Sequence, residues 1–519
     1  MDFSAYMKAG CLEKMIENRL NRTSCVVTVP ETEADAFDYA CARLTENGFE
    51  KKESYFENGH AFCAFSRGDE GVYMNHFAGT KELRMVHEEN TAYFSVSDET
   101  AGCFRPFVTM ISLEDFGLSC VIRLSDGRFI VIDGGRKLDV EADKLYECLR
   151  GGSAFGKPVI AAWILSHPHG DHFHCFINFM DRYKEAVEIE RIVFSFPEAD
   201  DTEHYPALAQ ENNTPYGDLS GVLNIPLMLE RARESGALLY APHTGQRFAI
   251  GDAKMEILSS MDDTLHLSRH INASAIVIKM HLGGQTILWT TDASFSIGKL
   301  PERYTEALKA DILQIPHHGF QSGTAEAEIE GYKWIRPDIC LLPANDYVAY
   351  TFFCQFRKGT EYLMKSESVK EIITGETQRT LYLPYTPSGE EKKKREALLA
   401  DGRAASGARS WVFTGLRAEN PEDFRFTVLN MVIPPAGIQI DLFFEEKKKA
   451  VRYIKTVVEG GFMKKINILS EDVDDDALMY NIASLRKRGV PENGEFAVRF
   501  LSDVPVVVFH EKHRETYHD

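Results

Sequence analysis

The segment His167-Pro168-His169-Gly170-Asp171-His172 brings four metal-binding side chains into six residues. A regular helix or strand would scatter them, but Pro168 and Gly170 allow a turn that folds them about a common centre. Four donors in one turn crowd a single tetrahedral ion that also takes donors from elsewhere, so two ions fit better. His167 and His169 then serve one ion, Asp171 and His172 the other. Further donors are expected at the ends of other strands. Asp292 has two oxygens that can bridge two cations, His317 or His318 is set off by Pro316 and Gly319, and His270 stands just before a strand opened by Ser274. Alone, Asp292 also reads as a helix N-cap, His270 as a loop residue and His317-His318 as a turn. Composition adds weight, because 11 of the 17 histidines lie between His167 and His318.

Two such cations sharing a water lower its pKa from 15.7 toward about 7 and bind a phosphoryl or carbonyl oxygen as Lewis acids. The expected nucleophile is therefore a metal-bridged hydroxide, with no Ser or Cys nucleophile needed. A protonated His318, or a metal-bound water, is expected to give the leaving oxygen its proton. The imidazole-rich donor set favours two Zn2+ ions, with Mn2+ or Fe admitted where carboxylates contribute.

The elements that carry these residues read as buried strands ending in polar clusters. Cys120 to Leu124 and Arg128 to Ile132 form a hairpin about Ser125-Asp126-Gly127, and the second strand ends in Asp133-Gly134-Gly135. Pro158 to Leu165 runs into the histidine motif. Later strands are expected at Ser274 to Met280, Thr286 to Thr290, Ile312 to Ile315, Ile339 to Leu342 and Thr380 to Leu383. A long insertion between Phe194 and Ile250 is placed to cover a site.

The ordered set Asp133, His167-x-His169-x-Asp171-His172, Asp292 and His317 resembles the metallo-β-lactamase fold superfamily in its hydrolase form. Asn272 to Val277, Trp289 to Ala293 and Asp311 to Gly319 resemble the branch that holds the ComEC-like hydrolase domain and phosphorylcholine esterases. The likeness spans roughly residues 105 to 385. It implies an αββα sandwich in which His167, His169 and Asp292 hold the first ion, and Asp171, His172, Asp292 and His317 or His318 the second. It also implies that His270 or Asn272 takes the place of the family's third histidine, and that Asp133 orients metal ligands from behind. Asp171, His318 and Asp133 are accordingly the residues expected to act in catalysis. Two departures stand out: Phe173-His174-Cys175 replaces the usual x-Gly-Gly, and Phe320 replaces a serine. His174 and Cys175 are expected to pack on the helix.

The 519 residues suggest about three units: an N-terminal α+β unit at 1–104, the hydrolase domain at 105–388, and a linker with a C-terminal α/β unit at 389–519. In the first, Thr32 to Asn47 reads as a helix followed by hairpin strands. In the last, helices are expected near Glu445 to Val458 and Ala477 to Lys487, with strands near Phe424 to Ile433 and Val504 to Phe509. Gly389 to Arg409 reads as a charged helix and linker. A formal charge of −20 disfavours indiscriminate nucleic-acid binding without excluding a nucleic-acid substrate. Lys447-Lys448-Lys449 and Lys464-Lys465 fit a solvated helix face better than a polyanion site. The ten cysteines lack Cys-x-x-Cys spacing, which fits reduced thiols. No membrane-length apolar run or secretory pattern is seen, so a cytoplasmic protein is expected. Oligomeric state is not indicated.

The expected activity is a dinuclear-metal hydrolase, foremost a phosphodiesterase, because two cations offset the charge of a phosphodiester. Hydrolysis of a carbon ester, thioester or lactam is the alternative on the same site, and a metal-stabilised sensor or scaffold the alternative outside catalysis. Redox chemistry on this fold is disfavoured, since His169 stands where related di-iron proteins have a carboxylate.

Overall fold

The computed structural model describes residues 1–89, 97–113, 116–154, 156–203, 205, 208, 219–268, 270–345, 349, 357–389, 408–417, 425–430, 436–444, 451–458, 463–467 and 495–510. The chain divides into two compact units, Met1–Leu398 and Leu399–Asp519.

The centre of the first unit is a pair of eight-stranded mixed sheets. In one, Phe129–Asp133 runs antiparallel to Ser119–Arg123 and parallel to Val159–Leu165. Successive residues of Phe129–Asp133 serve opposite faces, as a strand's period of two requires. Ile130 and Ile132 join the cluster between the sheets, whereas Phe129 and Val131 join a cluster with Leu145, Leu149, Phe173 and Phe176 of the helices Asp139–Gly152 and Gly170–Tyr183. Strands covered on both faces read as unbroken apolar runs, which is why Val159–Leu165 shows no alternation.

In the second sheet Gln285–Trp289 is parallel to Ile312–Gln314, which is parallel to Ile339–Leu342. The helix Ala325–Ile335 makes the crossover between the last two. The layers are helix, sheet, sheet, helix: the α/β sandwich that the sequence leads one to expect.

The expected helix at Thr32 to Asn47 is Ala34–Glu46. It lies in a core with Val27, Phe65 and Met85 of an N-terminal sheet whose strand order starts Ile16–Arg19, Ser24–Val29, Glu82–Glu88. That sheet is tied to the sandwich inside the first unit: Tyr55 donates to the Gly245 carbonyl at 2.7 Å and Asn75 to the Thr244 carbonyl at 3.1 Å. Ser97–Asp98 already pairs with Arg247–Ile250 of the second sandwich sheet.

The described residues of the second unit form a six-stranded sheet around the long strand Glu495–His510. The helix expected near Glu445 to Val458 is corrected to a strand, Val451–Val458, paired with Ala436–Phe444. Its Val, Tyr, Ile and Thr residues prefer a pleated surface, and the preceding charged run hides that preference. Lys464-Lys465 also lie on a strand, Met463–Asn467. The helix expected at 477–487, Lys447 to Lys449, and 390–407 lie outside the described residues. Among the described residues no helix is long and apolar enough to cross a membrane.

Candidate metal centre

The donors gather where strand ends of the two sheets meet. Asp133 closes its strand, Ser166 and His167 follow Val159–Leu165, Asp292 follows Gln285–Trp289, and His317-His318 follow Ile312–Gln314. The Ile276 amide donates to the Ser166 carbonyl at 3.2 Å, which joins the two edges. Carboxyl ends of parallel strands are where open α/β sheets bind ligands.

The turns there hold non-glycine residues in the left-handed region: Asp133 at φ 53°, Thr291 at 46°, His317 at 49° and His318 at 53°. Such conformations cost energy and persist only where the surroundings enforce them. The enforcement is visible. Thr290 and Thr291 amides donate to Gln314 Oε1 at 3.1 and 2.5 Å, His317 N donates to the Thr291 carbonyl, and Ser322 Oγ donates to the Asp292 carbonyl.

Two groups of three result: His167, His169 and Asp292, and Asp171, His172 and His318, each with ligand atoms within 4.8 Å of one another. In the second, His318 Nε2 is 3.1 Å from His172 Nε2 and 3.0 Å from Asp171 Oδ2. In the first, His167 Nε2 is 3.1 Å from His169 Nδ1. Asp292 Oδ2 stands between them, 3.7 Å from His167 Nε2, 3.2 Å from His172 Nε2 and 3.5 Å from His318 Nε2. Donors of a tetrahedral ion with bonds of about 2.0–2.1 Å lie ~3.3 Å apart, so these separations suit a cation.

Asp133 sits behind the second group. Its Oδ2 is 2.7 Å from His172 Nδ1, and its two oxygens accept from Ser166 N and Oγ at 2.7 Å each. His317 falls in neither group: its Nε2 is 3.8 Å from Asp292 Oδ2 and accepts from Asn272 Nδ2 at 3.2 Å. The structure thus brings His318, not His317, beside Asp171 and His172. His270 caps the turn Ile271–Ser274, its ring 5.8 Å from that of His169 and outside both groups. His174 packs on its helix, 4.7 Å from the Phe173 ring. Part of the long insertion lies on the motif, since a Cβ at Gly221 would stand 2.4 Å from the Pro168 carbonyl oxygen.

Burial and charge set the protonation states. Burial holds His167 well below the ordinary histidine range and pushes His317 down to about 4, so both rings are neutral. Burial opposes the charge of Asp171 and Asp292, but the imidazoles beside them, His172 first, outweigh it and hold both carboxyls below their usual range. For His172 burial is likewise overcome, by Asp292, Asp133 and Asp171, and its pKa lies well above the usual value. A divalent ion takes ionised carboxylates and neutral imidazoles, so one bound here would replace the proton that these carboxylates hold on His172. Asp292 Oδ1 and His318 Nδ1 are buried with no hydrogen-bond partner among the described residues, an expensive state that suits a site shaped for another group.

Two positioning residues escape the sequence reading. Ser166 Oγ lies 2.7 Å from Asp133 Oδ2 and 3.0 Å from His167 Nδ1, and a small hydroxyl directly before a His-x-His turn was its only signal. Gln314, fully buried in a strand, holds the Asp292 turn; a lone amide in an apolar run was the clue.

No family model and no curated protein matches the chain. Among solved structures, the Anabaena sensory rhodopsin transducer is 21% identical, with 21% of this chain and 88% of that one covered and a TM-score of 0.16. A metallo-β-lactamase from Hirschia baltica is 12% identical, with 55% and 96% covered and a TM-score of 0.23. One from Erythrobacter litoralis is 10% identical, with 67% and 98% covered and a TM-score of 0.21. Scores this low carry no weight, and the sandwich stands on its own strand order.

Proposed function

We propose that the first unit is a metal-dependent hydrolase with a two-ion centre, and that its substrate is a phosphodiester. The observation that carries this is the Asp292 carboxylate, whose Oδ2 lies within 3.2–3.7 Å of imidazole nitrogens from both groups while its Oδ1 has no hydrogen-bond partner among the described residues. His167, His169 and Asp292 would hold one cation, and Asp171, His172 and His318, with Asp292 between, the other. Zinc suits the donor set best.

When bound, two such ions supply Lewis acidity and a water of lowered pKa. The chain's own residues supply position and charge. Asp133 and Ser166 lock the His172 ring so that Nε2 faces the centre, as the outer partners of metal-binding histidines generally do. Gln314 fixes the turn that aims Asp292. Asp171 and Asp292 are held ionised, and cations bound between them would offset that charge for a phosphodiester approaching a chain of −20.

The test compares bis(p-nitrophenyl) phosphate with p-nitrophenyl acetate. Chelator-sensitive cleavage of the phosphodiester, restored by Zn2+, supports the reading. Cleavage of the acetate alone would move the substrate to carbon esters.

A further inference from the structure

Among the described residues a dense group of buried charges lies where the N-terminal sheet meets the sandwich. Arg84, on the strand Glu82–Glu88, has a side chain 1% exposed. Its Nη2 lies 2.8 Å from Asp262 Oδ1 and its Nε 3.2 Å from Asp263 Oδ1. Arg303, on Leu300–Tyr304, reaches Asp263 Oδ2 at 2.6 Å and Glu82 Oε1 at 2.5 Å. His243 completes the group, with Nδ1 2.6 Å from Asp262 Oδ2 and Nε2 3.2 Å from Glu88 Oε2.

Apolar side chains could fill such a boundary without the desolvation that buried ions suffer. What ions add is direction: Arg303 donates to Asp263 Oδ2 and Glu82 Oε1, and Arg84 adds its charge at ion-pair distance from both aspartates. Asp262 and Asp263 stand in the short helix Met261–Thr264, at the head of the segment that walls the metal centre. Thr264 Oγ1 donates to the Ala273 carbonyl, and Ser274 Oγ donates to the Ile271 carbonyl at 2.7 Å. Between those anchors Asn272 Nδ2 donates to His317 Nε2 at 3.2 Å. Arg84 is therefore linked through Asp262-Asp263, Thr264, Ala273 and Asn272 to His317, whose Nε2 stands 3.8 Å from Asp292 Oδ2.

We propose that Arg84 and Arg303 are positioning residues for the metal centre. By pairing with Asp262 and Asp263 they fix the helix Met261–Thr264, through Thr264 the turn Ile271–Ser274, and through Asn272 the His317 side of the centre. The N-terminal sheet is on this account a working part of the site. The inference rests on reading the centre as a cation site, and its test separates the two.

Arg84→Met alone takes one positive charge from Asp262 and Asp263, leaving them His243 and Arg303, and can destabilise the chain. The deciding variants are Arg84→Met/Asp262→Asn, which removes charges in pairs, and Thr264→Val, which cuts the link to Ala273 and touches no charge. In the full-length protein the readouts are thermal midpoint, Zn2+ affinity by chelator competition, and the His317 imidazole signals of the cation-free protein by NMR. The expected result is a near-normal midpoint with displaced His317 signals and, because His317 stands beside Asp292, a loss of Zn2+ affinity relative to the parent. Normal affinity and unmoved His317 signals in variants that fold like the parent would overturn the proposal and leave the ions a structural role only. If the double variant does not fold, Thr264→Val decides. A parent protein that binds no Zn2+ sinks the cation-site reading, while the His317 signals still decide the positioning.

Discussion

The carboxylate of Asp133 and the imidazole of His172 meet at 2.7 Å with both side chains fully buried. That contact turns the far nitrogen, Nε2, toward Asp292 at 3.2 Å and His318 at 3.1 Å. One strand end thus aims a side chain of the helix Gly170–Tyr183, and the centre is built from such relays rather than from its donors alone.

Asp133→Asn keeps the shape of this contact and removes its charge. Metal affinity is expected to fall 10- to 100-fold, as for outer partners of metal-binding histidines elsewhere, with the fold retained. Chelator competition measures it, and unchanged affinity would separate Asp133 from the centre.

The Gly134 and Gly135 amides donate to the His172 carbonyl at 2.8 and 3.0 Å, which pins the start of the helix Gly170–Tyr183 to the Asp133 turn. Gly135 has φ 95°, and a Cβ there would stand 2.4 Å from Glu141 Oε2. Gly135→Ala is expected to cost about 1–3 kcal/mol in stability, read from denaturant unfolding. A change below about 0.5 kcal/mol, the size of an ordinary surface effect, would show that the turn adapts freely.

Divalent ions that bind only the folded chain stabilise it by mass action, about 2.7 kcal/mol for each site at 100 times its Kd. The thermal midpoint should therefore rise with added Zn2+ and return on chelation. Calorimetric scans check this, and a midpoint indifferent to Zn2+ at saturating concentration would contradict the fit of the donors.

Burial disfavours the charge on His243, but Glu88 and Asp262 outweigh it and push its pKa up to about 10. A raised histidine adds stability that is complete below its unfolded value near 6.5 and fades as pH climbs toward 10. His243→Gln should therefore lower the midpoint most at pH 6 and progressively less by pH 9.5. A deficit that vanishes by pH 7.5 would mean that His243 titrates as an ordinary histidine.

Much of this was legible in the sequence because the signals were local. The run Val159–Leu165 and the Pro168-Gly170 turn announce a buried strand feeding a cluster of donors, and Asp133 and Asp292 stand at strand ends that periodicity can find. The choice between His317 and His318 was not local. Both residues are left-handed, and which ring turns to His172 is decided by Gln314, Thr291 and Asn272 across a sheet. The strand Val451–Val458 was misread for a related reason: its β-branched residues follow a charged run, and pairing with Ala436–Phe444, not local propensity, decides its state. Arg84 could not be singled out from sequence, since one arginine in an alternating strand looks solvent-facing until its carboxylate partners are folded against it.

The most direct measurement is metal content by mass spectrometry on purified, Zn2+-equilibrated protein beside His169→Ala, His318→Ala and Asp292→Ala. The account predicts about two ions per chain in the parent, about one in each histidine variant, and loss of both or severe weakening in Asp292→Ala, which stands between the groups. A parent chain without stoichiometric metal, or an Asp292→Ala variant that keeps both ions as tightly as the parent, would contradict it.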